Sequence, residues 1–424
     1  MRWSGRGGLV HVSRSPNIVW IVTTQWRAQA CGFAGDRNAR TPYLDTLARE
    51  ASVFTQAVTP HPFGPFARAA LLTGVPSPEN GVRDYFDPLP ADAHTIAHAM
   101  RERGYATAFF GKWHLAKREP FAPLVGEAHA RMVVPPERRG GFAFWEGFES
   151  GFQLNDPWLH GTRLPAPVQF PGYQSDIVGA RAAAWMRDQP APWFCIISLE
   201  TPHPPYGSPS AGVAPRVPAE IRLAQTVPRG GLVEQRARRE LAGYYAHIEA
   251  TDRALGRAIL GDPAFRDAAL VVTSVHGDMH GAHGLFRKGW PHEESVRVPL
   301  VIRMPAGSGN GRGPERDDAL VSLLDLSRWT LDWADGKAEG AGSASAADGQ
   351  LISMPSVVAL PDQCDRVWRG IRTTARKLVV NADGSPWLFF DLERDPEETI
   401  NLAGEASWSA EIAAWQQRLR RGSR

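Results

Sequence analysis

Continuous apolar runs alternate along this chain with stretches whose apolar positions recur every three or four residues. NIVWIV, from Asn17 to Val22, is a β-branched run bounded by Pro16 and polar residues. That pattern suits a strand buried on both faces, as in a parallel sheet covered by helices. TPYLDTLAREASVF follows, with Leu44, Leu47 and Ala51 at helical spacing. HTIAHAMRERGYATAFFGK predicts a helix ending near Gly104 and then the strand ATAFFG. DIVGARAAAWMRDQPAPWFCIISLE and YYAHIEATDRALGRAILGDPAFRDAALVVTSVHGD repeat the alternation. These helix-then-strand units predict an α/β doubly wound fold, with a mostly parallel central sheet flanked by helices. Ligands in such folds sit at the carboxyl ends of the strands, so attention falls on Thr23–Thr24, Lys112–His114, Thr201–His203 and Val275–His276.

The pattern changes toward the C-terminus. DWADGKAEGAGSASAADGQ is rich in Gly, Ala and Ser, lacks periodicity and reads as a flexible surface stretch. Beyond it, short alternating runs surround a turn at Asp383–Gly384, and SAEIAAWQQRLRR is an amphipathic helix. The reading divides the chain into an α/β domain over 1–335, a flexible segment over 336–350 and a small subdomain over 351–424. That subdomain is an antiparallel sheet plus a helix.

Composition narrows the function classes. The chain has 424 residues, 43% hydrophobic, 22% charged, with a net charge of +2. Nothing in that balance demands a nucleic-acid or membrane-surface partner. Cys31, Cys195 and Cys364 are too sparse for a disulfide framework or a zinc motif. His61, His276, His280 and His283 are irregularly spaced, and no carboxylate is placed to complete a zinc site. No metal or cofactor is expected. The N-terminal stretch lacks an apolar run long enough for a signal peptide, so a cytoplasmic location is expected.

Six ordered blocks carry a resemblance. They are PNIVWIV…QACGFAGD…TPYLDTLAREASVFTQAV, RAALLTG, GYATAFFGKWHL, TPHPPY, VVTSVHGDMHGAHGLFRKGWPHEESVRVPLVIRMP and LFFDLERDPEETINLAG. Together they make the chain similar to the sulfatases of the alkaline phosphatase superfamily. The resemblance implies a formylglycine made from Cys or Ser, four residues before an Arg in a Cys/Ser-x-Pro-x-Arg pattern. It also implies a calcium ion held by carboxylates from the first strand and from a later Asp-His or Asp-Asn pair, since the hard ion takes oxygen ligands. This chain departs at each point. The fourth residue before Arg68 is Gly64, or Phe63 stands there if one residue is inserted. Thr23 and Thr24 replace the first-strand carboxylates, Val275 stands where the later Asp would, beside a retained His276, and Ala282 replaces a further Asp.

Arg68, Lys112, His114, His203 and Lys288 match positions that grip the sulfate group in the family. The resemblance therefore implies a cluster of cations with its carboxylates removed and little left to neutralise it. The expectation is a sulfatase-like pseudoenzyme that binds a small anion (sulfated, phosphorylated or carboxylated), with room for a protein partner. The alternative is a hydrolase with a rebuilt, metal-independent site using His114, His203, His276 or Asp278 as acid and base.

Overall fold

The structure, a computed structural model, describes residues 15–305, 315–337 and 349–422. Most of the N-terminal stretch read for a leader, and residues 338–348 of the Gly/Ala/Ser-rich segment, lie outside that range. In chain order the main-sheet strands are β1 (Asn17–Thr23), β2 (Ser52–Val58), β3 (Ala106–Lys112), β4 (Phe144–Phe148), β5 (Trp158–Gly161), β6 (Val168–Gln169), β7 (Trp193–Ser198), β8 (Ala268–Ser274), β9 (Leu300–Arg303) and β10 (Glu315–Ser322). The helices are α1 (Pro42–Arg49), α2 (Gly64–Thr73), α3 (Ile96–Glu102), α4 (Glu127–Ala130), α5 (Gln174–Asp188), α6 (Leu232–Leu255), α7 (Glu293–Val296), α8 (Asp325–Ala334) and α9 (Ser409–Gly422).

The ten strands form one sheet in the order β10-β2-β9-β8-β1-β7-β3-β4-β5-β6. β8, β1, β7, β3 and β4 are mutually parallel, while β9 and β5 run antiparallel to their neighbours. This is the doubly wound, mostly parallel architecture that the periodicity predicts. β1 shows why its sequence is apolar throughout. Ile18, Trp20 and Val22 enter one core with helix residues Ala69, Ile96 and Trp329, while Val19 and Ile21 enter the opposite core with Leu44, Val178 and Ile248. Each such side chain taken fully out of water stabilises the fold by about 1.5–3 kcal/mol.

A second, antiparallel sheet holds β11 (Gln350–Met354), β12 (Trp368–Arg372), β13 (Arg376–Asn381) and β14 (Pro386–Asp391). α9 covers one face through Ile412 and Leu419. Ile352, Met354, Trp368 and Phe390 join the same apolar cluster as Trp20 and Phe66 of the main body. DWADG, read as the start of an aperiodic surface stretch, instead closes α8, and Trp333 is fully buried there. Among the described residues, no helix is long and apolar enough to cross a membrane.

Registers align the carboxyl ends of the central strands. Thr23 lies opposite Ser274, Val22 opposite Ser198, and Gly111 opposite Ser198 on the other side. Gly111 has φ +93°, and an added Cβ would stand 2.1 Å from the Ser198 carbonyl oxygen. Only glycine fits that approach, which fixes where the adjacent Lys112 leaves the sheet.

Candidate functional site

The residues that follow β1, β3, β7 and β8 meet the first turn of α2 at this edge. α2 starts after Phe63, whose backbone is extended (φ −150°, ψ 136°), with Pro65 in the first turn. Pro fits there because the first N–H groups of a helix have no intrahelical acceptor. Phe63 turns its ring into the apolar cluster, edge-on to Tyr85 at 5.6 Å. Lys288 Nζ lies over the same ring, 5.5 Å from its centroid, and a Cβ added on Gly64 would stand 3.0 Å from His114 Nδ1 and 3.2 Å from Arg68 Nη1.

Arg68, one turn on, donates from Nη2 to Thr24 Oγ1 at 2.7 Å. Thr24 Oγ1 in turn donates to the Leu199 carbonyl at 2.8 Å, and Thr23 Oγ1 donates to the Thr273 carbonyl at 3.1 Å. Both threonines therefore tie strand ends together. Arg68 Nε and Nη1, and both ring nitrogens of His114, have no hydrogen-bond partner among the described residues. Burial pulls the Arg68 guanidinium down to about 10, and burial with nearby Arg118, Lys112 and Arg68 holds His114 well below the ordinary histidine range.

Of the cations expected to stand without counterions, Lys112 has one, which corrects the expectation for that residue, whereas among the described residues no carboxylate is in ion-pair reach of Arg68 or Lys288. Lys112 Nζ lies 2.5 Å from Glu200 Oε1, with both side chains almost fully buried. Arg118 Nε lies 3.6 Å from Glu149 Oε1, and Glu149 Oε2 accepts the N–H groups of Leu115 and Ala116. Burial lowers Lys112 to about 8, against the pull of Glu200, and raises Glu149 to about 7. Glu200 and Glu149 thus supply buried negative charge beside Lys112 and Arg118. Glu200 carried a legible signal, because it immediately follows the strand WFCIISL. Glu149 follows β4, a short strand whose Glu146 breaks the apolar pattern, so nothing in the sequence marked it.

A second group gathers where the β8 loop passes the β7 turn. Lys288 Nζ donates to Gln25 Oε1 at 2.6 Å and to His203 Nε2 at 3.0 Å. His203 Nδ1 lies 2.7 Å from the Pro204 carbonyl, which can only accept, so Nδ1 holds the proton and Nε2 is the acceptor. Gln25 Nε2 donates to Asp278 Oδ2, which also accepts from Tyr206 Oη at 2.7 Å. Burial pushes the Asp278 carboxyl up, but His280, Arg287 and the Tyr206 hydroxyl outweigh it and hold the group below the usual carboxylate range. Burial lowers both His203 and Lys288 well below their ordinary values.

The remaining histidines do not converge. His61 accepts the Ser77 N–H at 2.8 Å and meets the Ser353 carbonyl at 3.1 Å. His280 packs on Tyr206 and Tyr244, and His283 stacks on His292. His276 Nδ1 meets the Gly277 carbonyl at 2.8 Å, beside the fully buried Val275. Among the described residues no group of three His, Cys, Asp or Glu is arranged to hold a metal ion. The donor set does not fit the calcium ion implied by the resemblance. It offers two neutral hydroxyls already engaged, an apolar Val275 and an imidazole, with the Arg68 guanidinium bonded to one of the hydroxyls. A hard dication needs several carboxylate or carbonyl oxygens.

The sheet edge opens to a cleft of about 820 Å³. Phe152, His203, Tyr206, Arg239, Arg287 and Lys288 are among its lining residues. Of the residues expected to grip an anion, His203 and Lys288 line this cleft. Arg68 instead borders a separate internal cavity of about 20 Å³ with Trp20, Leu72 and Trp113.

Comparison with known proteins agrees with this geometry. A family model described as Sulfatase matches residues 16–336. The chain is 33% identical over 413 residues to an ulvan-active sulfatase of Formosa agariphila, covering 92% of this chain and 77% of that protein. It superposes with a TM-score of 0.78, at 20% identity, on a structure solved with its substrate D-glucosamine-2-N,6-O-disulfate, covering 97% of this chain and 98% of the other. A phosphonate monoester hydrolase of Agrobacterium radiobacter gives a TM-score of 0.73 at 23% identity, covering 96% of this chain and 95% of the other. From the extent of that family match and the similarity to that relative, the chain belongs to the sulfatase family.

Proposed function

We propose that this sulfatase-family protein does not carry out formylglycine- and calcium-dependent sulfate ester hydrolysis, and that it acts as a binder of a small anionic ligand in its cleft. The observation that carries the first half is the setting of Gly64 and Phe63. The side chain missing at Gly64 would stand 3.0 Å from His114 Nδ1 and 3.2 Å from Arg68 Nη1, and Lys288 Nζ lies 5.5 Å from the Phe63 ring, so both candidate nucleophile positions border groups assigned to sulfate binding and neither carries a convertible side chain. A glycine cannot be converted to formylglycine, and Thr24, which would hold the ion, is bonded to Arg68 instead. For the second half, Lys288 and His203 are the candidate anion-binding residues that line the cleft, where Arg239 and Arg287 add positive charge. Arg68, Lys112 and His114 form a sealed wall behind it.

Purified protein should turn over neither aryl sulfates nor phosphate or phosphonate monoesters, with or without added calcium. It should show a thermal shift with at least one of sulfate, phosphate, a sulfated sugar or an ulvan fragment, because a ligand that binds only the native state raises stability by mass action. Turnover of an aryl sulfate at an ordinary enzymatic rate would sink the proposal. A second reading, a hydrolase with a rebuilt metal-independent centre, is favoured by one contact. His203 Nε2 and Lys288 Nζ are 3.0 Å apart on the cleft, within reach for proton transfer. His114, His276 and Asp278 lie outside the residues lining the cleft. Metal-independent ester turnover abolished by His203→Ala would select that reading.

A further inference from the structure

The protein has five lysines. Lys117 and Lys337 are exposed, and Lys112, Lys288 and Lys377 are buried. Two of the buried three sit against carboxylates. Lys112 Nζ is 2.5 Å from Glu200, and Lys377 Nζ is 2.7 Å from Glu293 and 2.6 Å from Glu398. Lys288 differs: among the described residues no carboxylate is in ion-pair reach of its Nζ, and its two hydrogen-bond acceptors, Gln25 Oε1 and His203 Nε2, are neutral. A buried ammonium without a counterion is costly, whereas a neutral amine donates two hydrogen bonds and keeps a lone pair. Two donors on Nζ are used, Lys288 lines the cleft, and aromatic and apolar side chains such as Phe152, Tyr206 and Leu360 surround the opening.

We infer that Lys288 is a nucleophilic amine that condenses with a small carbonyl compound, an aldehyde or ketone with a flat or apolar body, held in the cleft. The inference rests on the proposed reading only in taking this cleft as the ligand site. In the step, the Nζ lone pair attacks the carbonyl carbon and the C–O π electrons move to oxygen. His203 Nε2, 3.0 Å away, accepts a proton from Nζ and returns it to that oxygen. The carbinolamine then expels its hydroxyl as the nitrogen lone pair closes the C=N bond, and the remaining N–H proton passes through His203 Nε2 to the leaving oxygen, so amine plus carbonyl gives imine plus water with no oxidant or metal. Desolvated lysines beside another cation are activated this way. The charged groups that face Lys288 are Lys112 from the end of β3, Glu200 from the β7 turn, Asp278 from the β8 loop and Arg287 on its own loop. Lys112 and Arg287 oppose protonation, and Asp278 and Glu200 favour it. Burial adds to the opposition and decides the direction.

The test uses the full chain, benzaldehyde as the uncharged probe and sodium cyanoborohydride to reduce any imine, followed by peptide mapping. At pH 7 an ordinary lysine, with a pKa of about 10.4, is free base in roughly one molecule per 10³. Lys288 should therefore carry about tenfold or more adduct than exposed Lys117 or Lys337, and its labelling rate should level off at a lower pH. Lys288→Arg should abolish this fast adduct and leave labelling at Lys117 unchanged. Adduct spread evenly over the exposed lysines, or reaching Lys288 only in strong alkali, overturns the inference. The two proposals fail separately. A thermal shift with sulfate and no adduct at Lys288 removes the amine chemistry and keeps the anion cleft, whereas an adduct without any anion response does the reverse.

Discussion

The inner wall of the pocket and the floor of its cleft descend from one cation cluster, but they end in different electrostatic states. At the wall, Lys112 is sealed against Glu200, and Arg118 against Glu149, with no more than 1% of any of these side chains exposed. At the floor, the hydrogen-bond acceptors of Lys288 Nζ among the described residues are the neutral Gln25 and His203, and it borders open space. The contrast separates two electrostatic outcomes for a buried cation. Lys112 and Arg118, within reach of carboxylates, form structural ion pairs. Lys288, on the cleft, has neutral hydrogen-bond acceptors and has to lose its proton or find a ligand.

The largest effect should come from breaking the wall. Glu200→Ala leaves Lys112 buried without its partner, and removal of one member of a buried pair costs about 3–5 kcal/mol. Urea unfolding should read a loss of that order, and a loss under about 1 kcal/mol would mean that the wall is solvated and the contrast false.

Next is a pH effect within the wall. Glu149 is raised to about 7 in the fold from an ordinary 4.5, so the folded state binds more protons across that window. Its contribution is therefore fully present below the unfolded value and is lost as pH rises through about 7. Glu149→Gln, which cannot ionise, should gain on the wild type by about 1–3 kcal/mol between pH 5 and pH 8, each pKa unit being worth about 1.4 kcal/mol. Paired unfolding curves at the two pH values check the sign, and a gain in the opposite direction would refute the assignment.

Filling the gap in the wall should cost less. Gly64→Cys puts a side chain into the 3.0–3.2 Å contacts with His114 and Arg68, and overpacking of this kind costs about 1–3 kcal/mol. The same variant, co-expressed with a formylglycine-generating enzyme, should still leave aryl sulfates intact, because Thr23, Thr24 and Val275 remain. Measured turnover would show that the metal shell is not needed. The smallest effect belongs to the floor. Lys288→Met keeps the length of the side chain and strands no carboxylate, so its cost should stay under about 1.5 kcal/mol, the net worth of a hydrogen bond. Lys112→Met should cost several times more, and equal losses for the two lysines would erase the comparison.

Particular elements show where the sequence was legible. β1, β3, β7 and β8 each carry a continuous apolar run because helices cover both faces of the sheet, so those runs stood out. β4 and β10 did not. Glu146 sits inside β4 because Arg163 and Arg181 pair with it, and β10 opens with the charged run ERDD at a sheet edge. Charges at such positions erase the apolar signal. Of the candidate anion-binding residues, His203 and Lys288 line the cleft, while Arg68, Lys112 and His114 do not. Gln25, Glu149 and Tyr206 were missed, because their parts arise from contacts between residues distant in the chain.

The sequence by itself determined the doubly wound architecture and the family. These follow from local periodicity and from residue identity, which need no contact information. The tertiary structure decided which cations are sealed and which one faces the cleft. That outcome depends on where Glu200, Glu149 and Gln25 arrive in space. In a buried site, where a few ångströms separate a paired charge from an unpaired one, it changes what each residue can do.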